Sequence, residues 1–143
     1  MKDKRQEFVS VVVVGGGQAG LSASYYLSKS GIDHVVLERS ERFHAWKKDR
    51  WDSFCLVTPN WQCRLPGWEY GGKDPNGFMP RDEIVDYLEG FAKSFNPPIR
   101  EGITVQRVEA RADGKIEIES SDRLWISSSV ILATGSYDRQ IKP

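Results

Sequence analysis

The chain has 143 residues, 39% of them hydrophobic, and its 20 basic side chains balance 20 acidic ones. That length suits one domain, and the charge balance gives no electrostatic case for nucleic acid or an anionic membrane surface. No apolar run approaches the ~18 residues that would span a bilayer.

The N-terminus, Met1 to Glu7, is charged, and the apolar run after it is short and broken by glycines. A secretory signal is therefore not expected. Phe8 to Val14 is a β-branched run with the continuous character of a strand buried on both faces. It ends at Gly15-Gly16-Gly17. From Gln18 to Ser30 the pattern turns helical, with Leu21, Tyr25 and Leu27 available for packing and Gly31 as the stop. His34 to Glu38 reads as a second strand. Strand, glycine turn, helix and strand fall within about thirty residues, the size of a βαβ unit with parallel strands.

Ser40 to Pro80 is different in kind. It holds four of the five tryptophans and most of the prolines. A loop of this length is unusual unless it covers a site, and one short helix is expected inside it. Arg81 to Phe95 is helical, with Ile84, Leu88, Phe91 and Phe95 on one face and Asp82 and Glu83 in the first turn. Asn96-Pro97-Pro98 ends it. Three short strands follow: Ile103 to Val108, Lys115 to Glu119 after the Asp113-Gly114 turn, and Leu124 to Ile126. Val130-Ile131-Leu132 is a further buried run that opens onto Ala133-Thr134-Gly135.

Gly15-x-Gly17-x-x-Gly20 carries the chemistry. Gly15 permits the tight turn out of the strand, Gly17 lets a pyrophosphate approach the backbone, and Gly20 lets the helix pack on the sheet. The N–H groups at the helix start, around Gln18 and Ala19, have no intrahelical acceptor and point at an anion. Glu38 lies about 18 positions beyond Gly20, at the end of the second strand, where its carboxylate can accept bonds from adenosine ribose hydroxyls. A 2′-phosphate would be repelled there. The alternative for Glu38 is a solvated strand-end charge. Arg39 lies along the adenine or is a surface cation.

The glycine turn, Leu37-Glu38-Arg39 and Ala133-Thr134-Gly135 make the chain resemble the two-dinucleotide-binding flavoproteins. Within them it most resembles the flavin-containing monooxygenase-like enzymes, including the plant auxin-forming branch. Trp46, Arg50-Trp51-Asp52, Leu65-Pro66 and Met79-Pro80-Arg81 carry that narrower likeness. The resemblance implies an α/β, Rossmann-like FAD-binding domain with a parallel sheet and an inserted antiparallel β-meander. It implies that Gly15, Gly17, Gln18, Ala19 and Gly20 hold the FAD pyrophosphate, that Glu38 binds the ribose, and that Trp46 sits near the flavin. It also implies that Val105 touches the adenine through its backbone and that Ala133-Thr134-Gly135 passes close to the cofactor. Trp46 could instead pack as a lid residue, and Val105 could be plain core.

Two departures from the family pattern stand out. Relatives usually carry two glycines shortly before the tryptophan, where this chain has Phe43-His44-Ala45-Trp46. They often place an asparagine beside the flavin in the next segment, where this chain has Leu56-Val57-Thr58-Pro59-Asn60.

The resemblance further implies an oxidoreductase in which NAD(P)H reduces FAD to serve a small-molecule substrate. The nicotinamide-binding domain is expected after Lys142-Pro143, which would make residues 1–143 a single FAD-binding fragment, inactive alone. The surface that such a domain would cover is expected to promote self-association. Cys55 and Cys63 fit neither a close redox pair nor a zinc site and read as reduced thiols of a cytoplasmic protein. Their spacing speaks against the disulfide-reductase branch. His34 and His44 are too few for a metal cluster, and the meander speaks against an ordinary NAD dehydrogenase. The competing class is a truncated FAD- or NAD-binding module with no turnover.

Overall fold

The computed structural model describes residues 5–135. Strand β1 (Gln6–Val14) is followed by helix α1 (Gln18–Lys29) and strand β2 (His34–Leu37). β2 pairs with β1 in parallel, Val11 to Val14 lying beside His34 to Leu37. Val12, Val13 and Val36 are fully buried, as the uninterrupted β-branched runs require.

The long loop is not structureless. It contains a one-turn helix, α2 (His44–Lys47), a 3-10 turn (Asn60–Gln62), and a hairpin of β3 (Arg64–Leu65) with β4 (Trp68–Glu69). Asn60 pins it. Its amide nitrogen donates to the Asp74 carbonyl at 2.9 Å and its amide oxygen accepts the Met79 N–H at 2.7 Å. Asn60 is buried and serves the loop's own backbone, which accounts for its presence without any contact to a cofactor.

Helix α3 (Arg81–Phe95) has the bounds that the sequence predicts. Its apolar stripe of Ile84, Leu88 and Phe91 packs with Val11, Val13, Leu21 and Val36 in one core cluster, and Phe95 lies partly buried against it. Asn96 ends the helix in the left-handed region, at φ 50°, which asparagine tolerates better than most residues. The two-residue strand β5 (Ile99–Arg100) then joins β2 in parallel.

The meander has a different shape from the sequence expectation. β6 (Val105–Ala110) and β7 (Ile116–Ser120) form the antiparallel pair, but Leu124 to Ile126 and Val130 to Leu132 are not separate elements. They are the two ends of one strand, β8 (Leu124–Leu132). β8 pairs in parallel with β1 along nearly its whole length and antiparallel with β7 over its first half. Ser127, Ser128 and Ser129 bridge the two ends; they carry no apolar alternation, and the ladder to β1 holds them extended. The run is also less buried than predicted, with Leu132 65% exposed.

The result is one six-stranded mixed sheet in the order β5-β2-β1-β8-β7-β6. A second cluster, Val12, Val14, Val35, Leu37, Ile118 and Trp125, ties the parallel half to the meander. The fold is therefore Rossmann-like α/β with an antiparallel meander, and it brings the C-terminal ends of β1, β2 and β8 to one edge. Among the described residues no helix is long and apolar enough to cross a membrane.

Candidate dinucleotide-binding site

Three chain segments meet at that edge. Gly15 leaves β1 at φ 112°, a conformation that L side chains rarely adopt, and a Cβ there would run into the Ala133 carbonyl oxygen. A Cβ on Gly20 would strike the Gly15 carbonyl oxygen, so Gly20 sets how closely α1 approaches the turn. Gly17 is unlike both. Its φ of −86° suits any residue, and no protein atom lies within 4 Å of where its Cβ would be. The protein itself makes no demand for glycine there; the open cradle fits a group that must lie against the backbone. Gly17 is also the N-cap of α1 and supplies no side-chain cap, and the first turn carries no acidic residue. The helix thus presents bare N–H groups to that cradle.

Glu38 is built into the turn. Its carboxylate accepts the Gly16 N–H at 2.7 Å and the Ser40 N–H at 2.9 Å, one on each oxygen. Each oxygen retains a lone pair that a ribose hydroxyl can use. The backbone around it is fixed as well: Glu38 N–H donates to Arg100 and its carbonyl accepts Ile103 N–H, both at 2.9 Å.

Two cavities open on this edge. One, of about 590 Å3, is lined by Val14, Gly15, Leu37, Glu38, Arg39, Ile103, Thr104, Val105, Thr134 and Gly135. The other, of about 660 Å3, runs past Gly15, Gly17, Gln18, Ala19, Glu38 and Arg39 to Phe43, His44, Ala45, Trp46, Asp49 and Arg50, with Ala133, Thr134 and Gly135 on its far side. Gly15, Glu38, Arg39, Thr134 and Gly135 belong to both, so the two form one elongated groove. Every residue predicted to contact the cofactor lines this groove except Gly20, which supports the turn from behind.

Trp46 faces the groove and also packs within its loop. Its ring lies 4.9 Å from the Arg50 guanidinium centre and 6.0 Å from the Phe54 ring. With Gln18 it also borders a pocket of about 220 Å3 formed with Leu56, Thr58, Cys63, Met79 and Tyr87. Burial pushes the Cys63 thiol up from its ordinary value. Cys55 and Cys63 are both free thiols. Among the described residues no group of three or more His, Cys, Asp or Glu could hold a metal.

Sequence reasoning missed Phe43, His44, Asp49 and Arg50 as groove residues. They arrive because the loop folds back: Phe43 N–H donates to the Gly16 carbonyl at 3.0 Å, with Phe43 itself in the left-handed region at φ 59° and its side chain buried. That hydrogen bond joins positions 27 residues apart (43 − 16), which no local pattern announces. An ion network of Arg42, Lys47, Glu41 and Glu89 then ties α2 to α3.

Known proteins resemble this chain in sequence and in fold. An uncharacterized, CzcO-like oxidoreductase of Geobacillus kaustophilus is 34% identical over 138 residues, which is 96% of this chain and 39% of the relative. A probable indole-3-pyruvate monooxygenase of Arabidopsis thaliana is 30% identical over 93% of this chain and 33% of its own length. A flavin-containing monooxygenase from Stenotrophomonas maltophilia superposes with a TM-score of 0.84 at 34% identity, covering 96% of this chain and 41% of that one. The chain thus spans about two fifths or less of the length of these relatives. The family model described as pyridine nucleotide-disulphide oxidoreductase matches residues 12–143, and with the glycine turn, Glu38 and the mixed sheet in place, the chain belongs to that family.

Proposed function

We propose that this chain is the FAD-binding part of a flavin-dependent oxidoreductase of monooxygenase type. The observation that carries the reading is the single groove that joins Gly17, Gln18 and Ala19 to Glu38 on one side and Trp46 on the other. Its 590 Å3 arm, with Glu38, Val105 and Thr134, suits an adenosine. The open cradle at Gly17 suits the pyrophosphate, and the arm toward Trp46 suits the flavin end. When bound, FAD would supply hydride acceptance and onward electron transfer. The protein's own tasks are to hold and orient. The α1 N-terminus stabilises negative charge, Glu38 fixes the ribose while clamping the turn, and Trp46 with Arg50 walls the far arm.

In a polypeptide of its relatives' length, residues 1–143 would form one FAD-binding unit. A nicotinamide-binding unit elsewhere would deliver reducing equivalents from NAD(P)H, and a small-molecule substrate would be served beyond both. The visible absorbance of the purified chain tests the core of this reading, recorded after FAD is added and the excess removed. Flavin bands that stay with the protein are expected, and Glu38→Ala is expected to lose them. A folded chain that keeps no flavin would overturn the reading for this chain. Steady NAD(P)H oxidation by the chain alone would overturn the division of labour between two units.

A further inference from the structure

Behind Trp46 lies a cavity that the flavin reading leaves unused. It is walled by α3 and by the loop between β2 and α3, and its volume is about 220 Å3. Leu65, Met79, Ile84 and Leu88 are buried in its walls, and Trp46 and Leu56 complete the apolar lining. That volume exceeds the ~150 Å3 that holds a benzene in a protein interior and falls short of the ~300 Å3 at which drug-sized pockets begin. It suits one aromatic ring with a short substituent. The cavity and the groove share Gln18 and Trp46, so an occupant borders the arm assigned to the flavin end.

The walls are preformed. Leu56 N–H donates to the Met79 carbonyl at 3.0 Å and Cys63 N–H to the Asn60 carbonyl at 2.9 Å, which fixes the loop side. The Tyr87 hydroxyl accepts the Leu65 N–H at 3.2 Å and donates to the Trp68 carbonyl at 2.8 Å, which fixes β3 to α3. A site already in shape loses little freedom on binding. Its charge is one-sided. No Asp or Glu lines it. Burial pushes the Tyr87 hydroxyl up to about 12 and raises the Cys63 thiol as well, so both are neutral near neutral pH. Arg64, the first residue of β3, is the one charged residue of the lining, and it is exposed. Glu69 stands opposite it in the hairpin, yet among the described residues Arg64 makes no ion pair. The pocket thus offers a ring-sized apolar space with an unpaired guanidinium at its rim. A guanidinium pairs with a carboxylate through two parallel hydrogen bonds.

We infer that this pocket binds a small aromatic carboxylate, its ring enclosed between α3 and the loop and its carboxylate at Arg64. As the substrate class of the oxidoreductase, this rests on the FAD reading above; as a binding site, it stands on the pocket alone. A neutral ring of the same size is expected to bind more weakly, by the roughly three- to tenfold of one charge-assisted contact open to solvent. A cationic ring is expected to bind more weakly still.

The test is a fluorine NMR titration of the purified chain, near neutral pH, with 4-fluorobenzoate, 4-fluorobenzyl alcohol and 4-fluorobenzylammonium. The wild type is expected to prefer them in that order. Arg64→Gln is expected to bind all three alike, at the level of the neutral probe, and Arg64→Lys to keep the order. Thr58→Trp, a change at an exposed position of the lining, is expected to block all three. Thermal melts check that each variant folds, and if Thr58→Trp does not, the two Arg64 variants carry the test. Equal binding of the three probes by the wild type, no binding of the carboxylate, or an order that survives Arg64→Gln would overturn the inference. So would unchanged binding to a folded Thr58→Trp. The carboxylate titration is then repeated on the chain saturated with FAD, and the probe is expected to stay bound. Its displacement would overturn the inference, give the pocket to the flavin ring and leave the FAD reading intact. A chain that binds no FAD yet shows the expected order would overturn the FAD reading and the substrate assignment with it, while the carboxylate site stands.

Discussion

Gly17 and Gly20 stand three residues apart in one turn, and the structure assigns them different masters. At Gly20 the constraint comes from the protein: a Cβ would overlap the Gly15 carbonyl oxygen, so α1 must shift. Forcing extra volume into such a contact costs about 1–3 kcal/mol or more. For a domain of this size that lowers the melting midpoint by roughly 4–12 °C. At Gly17 the protein imposes nothing within 4 Å, and φ is −86°. Gly17→Ala then costs only the difference between glycine and alanine at an N-cap, at most about 1 kcal/mol, or roughly 4 °C. Its effect falls on the ligand. A Cβ in the cradle pushes the pyrophosphate off the backbone, and losing one charge-assisted bond of about 1.5–3 kcal/mol weakens FAD binding about tenfold to a hundredfold. Thermal melts and flavin fluorescence titrations of Gly17→Ala and Gly20→Ala separate the two effects. The reasoning fails if Gly17→Ala binds FAD as tightly as the wild type, or if the two variants melt alike.

Three further outcomes follow from other parts of the chain. Burial alone would push the Glu89 carboxyl up, but hydrogen bonds from Arg42 and Lys47 outweigh it and hold the group below the usual carboxylate range. Its contribution is thus present above the unfolded value of about 4.3 and is lost as pH falls through the lower folded value. Glu89→Gln is expected to lower stability by about 1–2 kcal/mol near neutral pH and to flatten the acid limb; urea midpoints at neutral pH and near pH 3 check it, and an unchanged limb refutes it. The Tyr87 hydroxyl accepts the Leu65 N–H at 3.2 Å and donates to the Trp68 carbonyl at 2.8 Å, so Tyr87→Phe removes two hydrogen bonds that tie the β3–β4 hairpin to α3 and costs about 1–3 kcal/mol by denaturant unfolding. Phe43→Gly relieves a left-handed backbone worth roughly 1–2 kcal/mol but removes a buried aromatic worth about 3–5 kcal/mol. It is expected to be less stable than the wild type yet more stable than Phe43→Ala, and the opposite order in either comparison would show that strain or packing has been misjudged.

What could be read from the sequence was what local physics encodes. β1 and β2 announce themselves because strands buried on both faces need unbroken apolar runs. α3 does so because its stripe of Ile84, Leu88 and Phe91 repeats at helical spacing and Asn96-Pro97 stops it. β5 escaped notice because two residues after a double proline carry no pattern; they are a strand only because Val36 N–H donates to Pro98 and Glu38 N–H to Arg100. β8 was split for the converse reason. Its three serines look like a break, yet the ladder to β1 crosses them.

The groove divides along the same line, and the division bears on how its parts work. The open cradle at Gly17 and the place of Glu38 beside it were legible because each is set by the backbone within a single βαβ unit. The wall of Phe43, His44, Asp49 and Arg50 was not, because it exists only once a forty-residue loop has been pinned by the Asn60 amide, closed by the Phe43–Gly16 hydrogen bond and tied to α3 through Arg42, Lys47 and Glu89. The first half of the site is therefore secured by secondary structure that would persist through large changes elsewhere. The second half depends on weaker, mutually supporting contacts on one loop. Substitutions in the glycine turn should act on the cofactor directly. Substitutions that loosen the loop, such as Asn60→Ala, should spare the arm lined by Glu38, Val105 and Thr134 and open the arm toward Trp46, since no loop residue between 41 and 80 lines the first cavity.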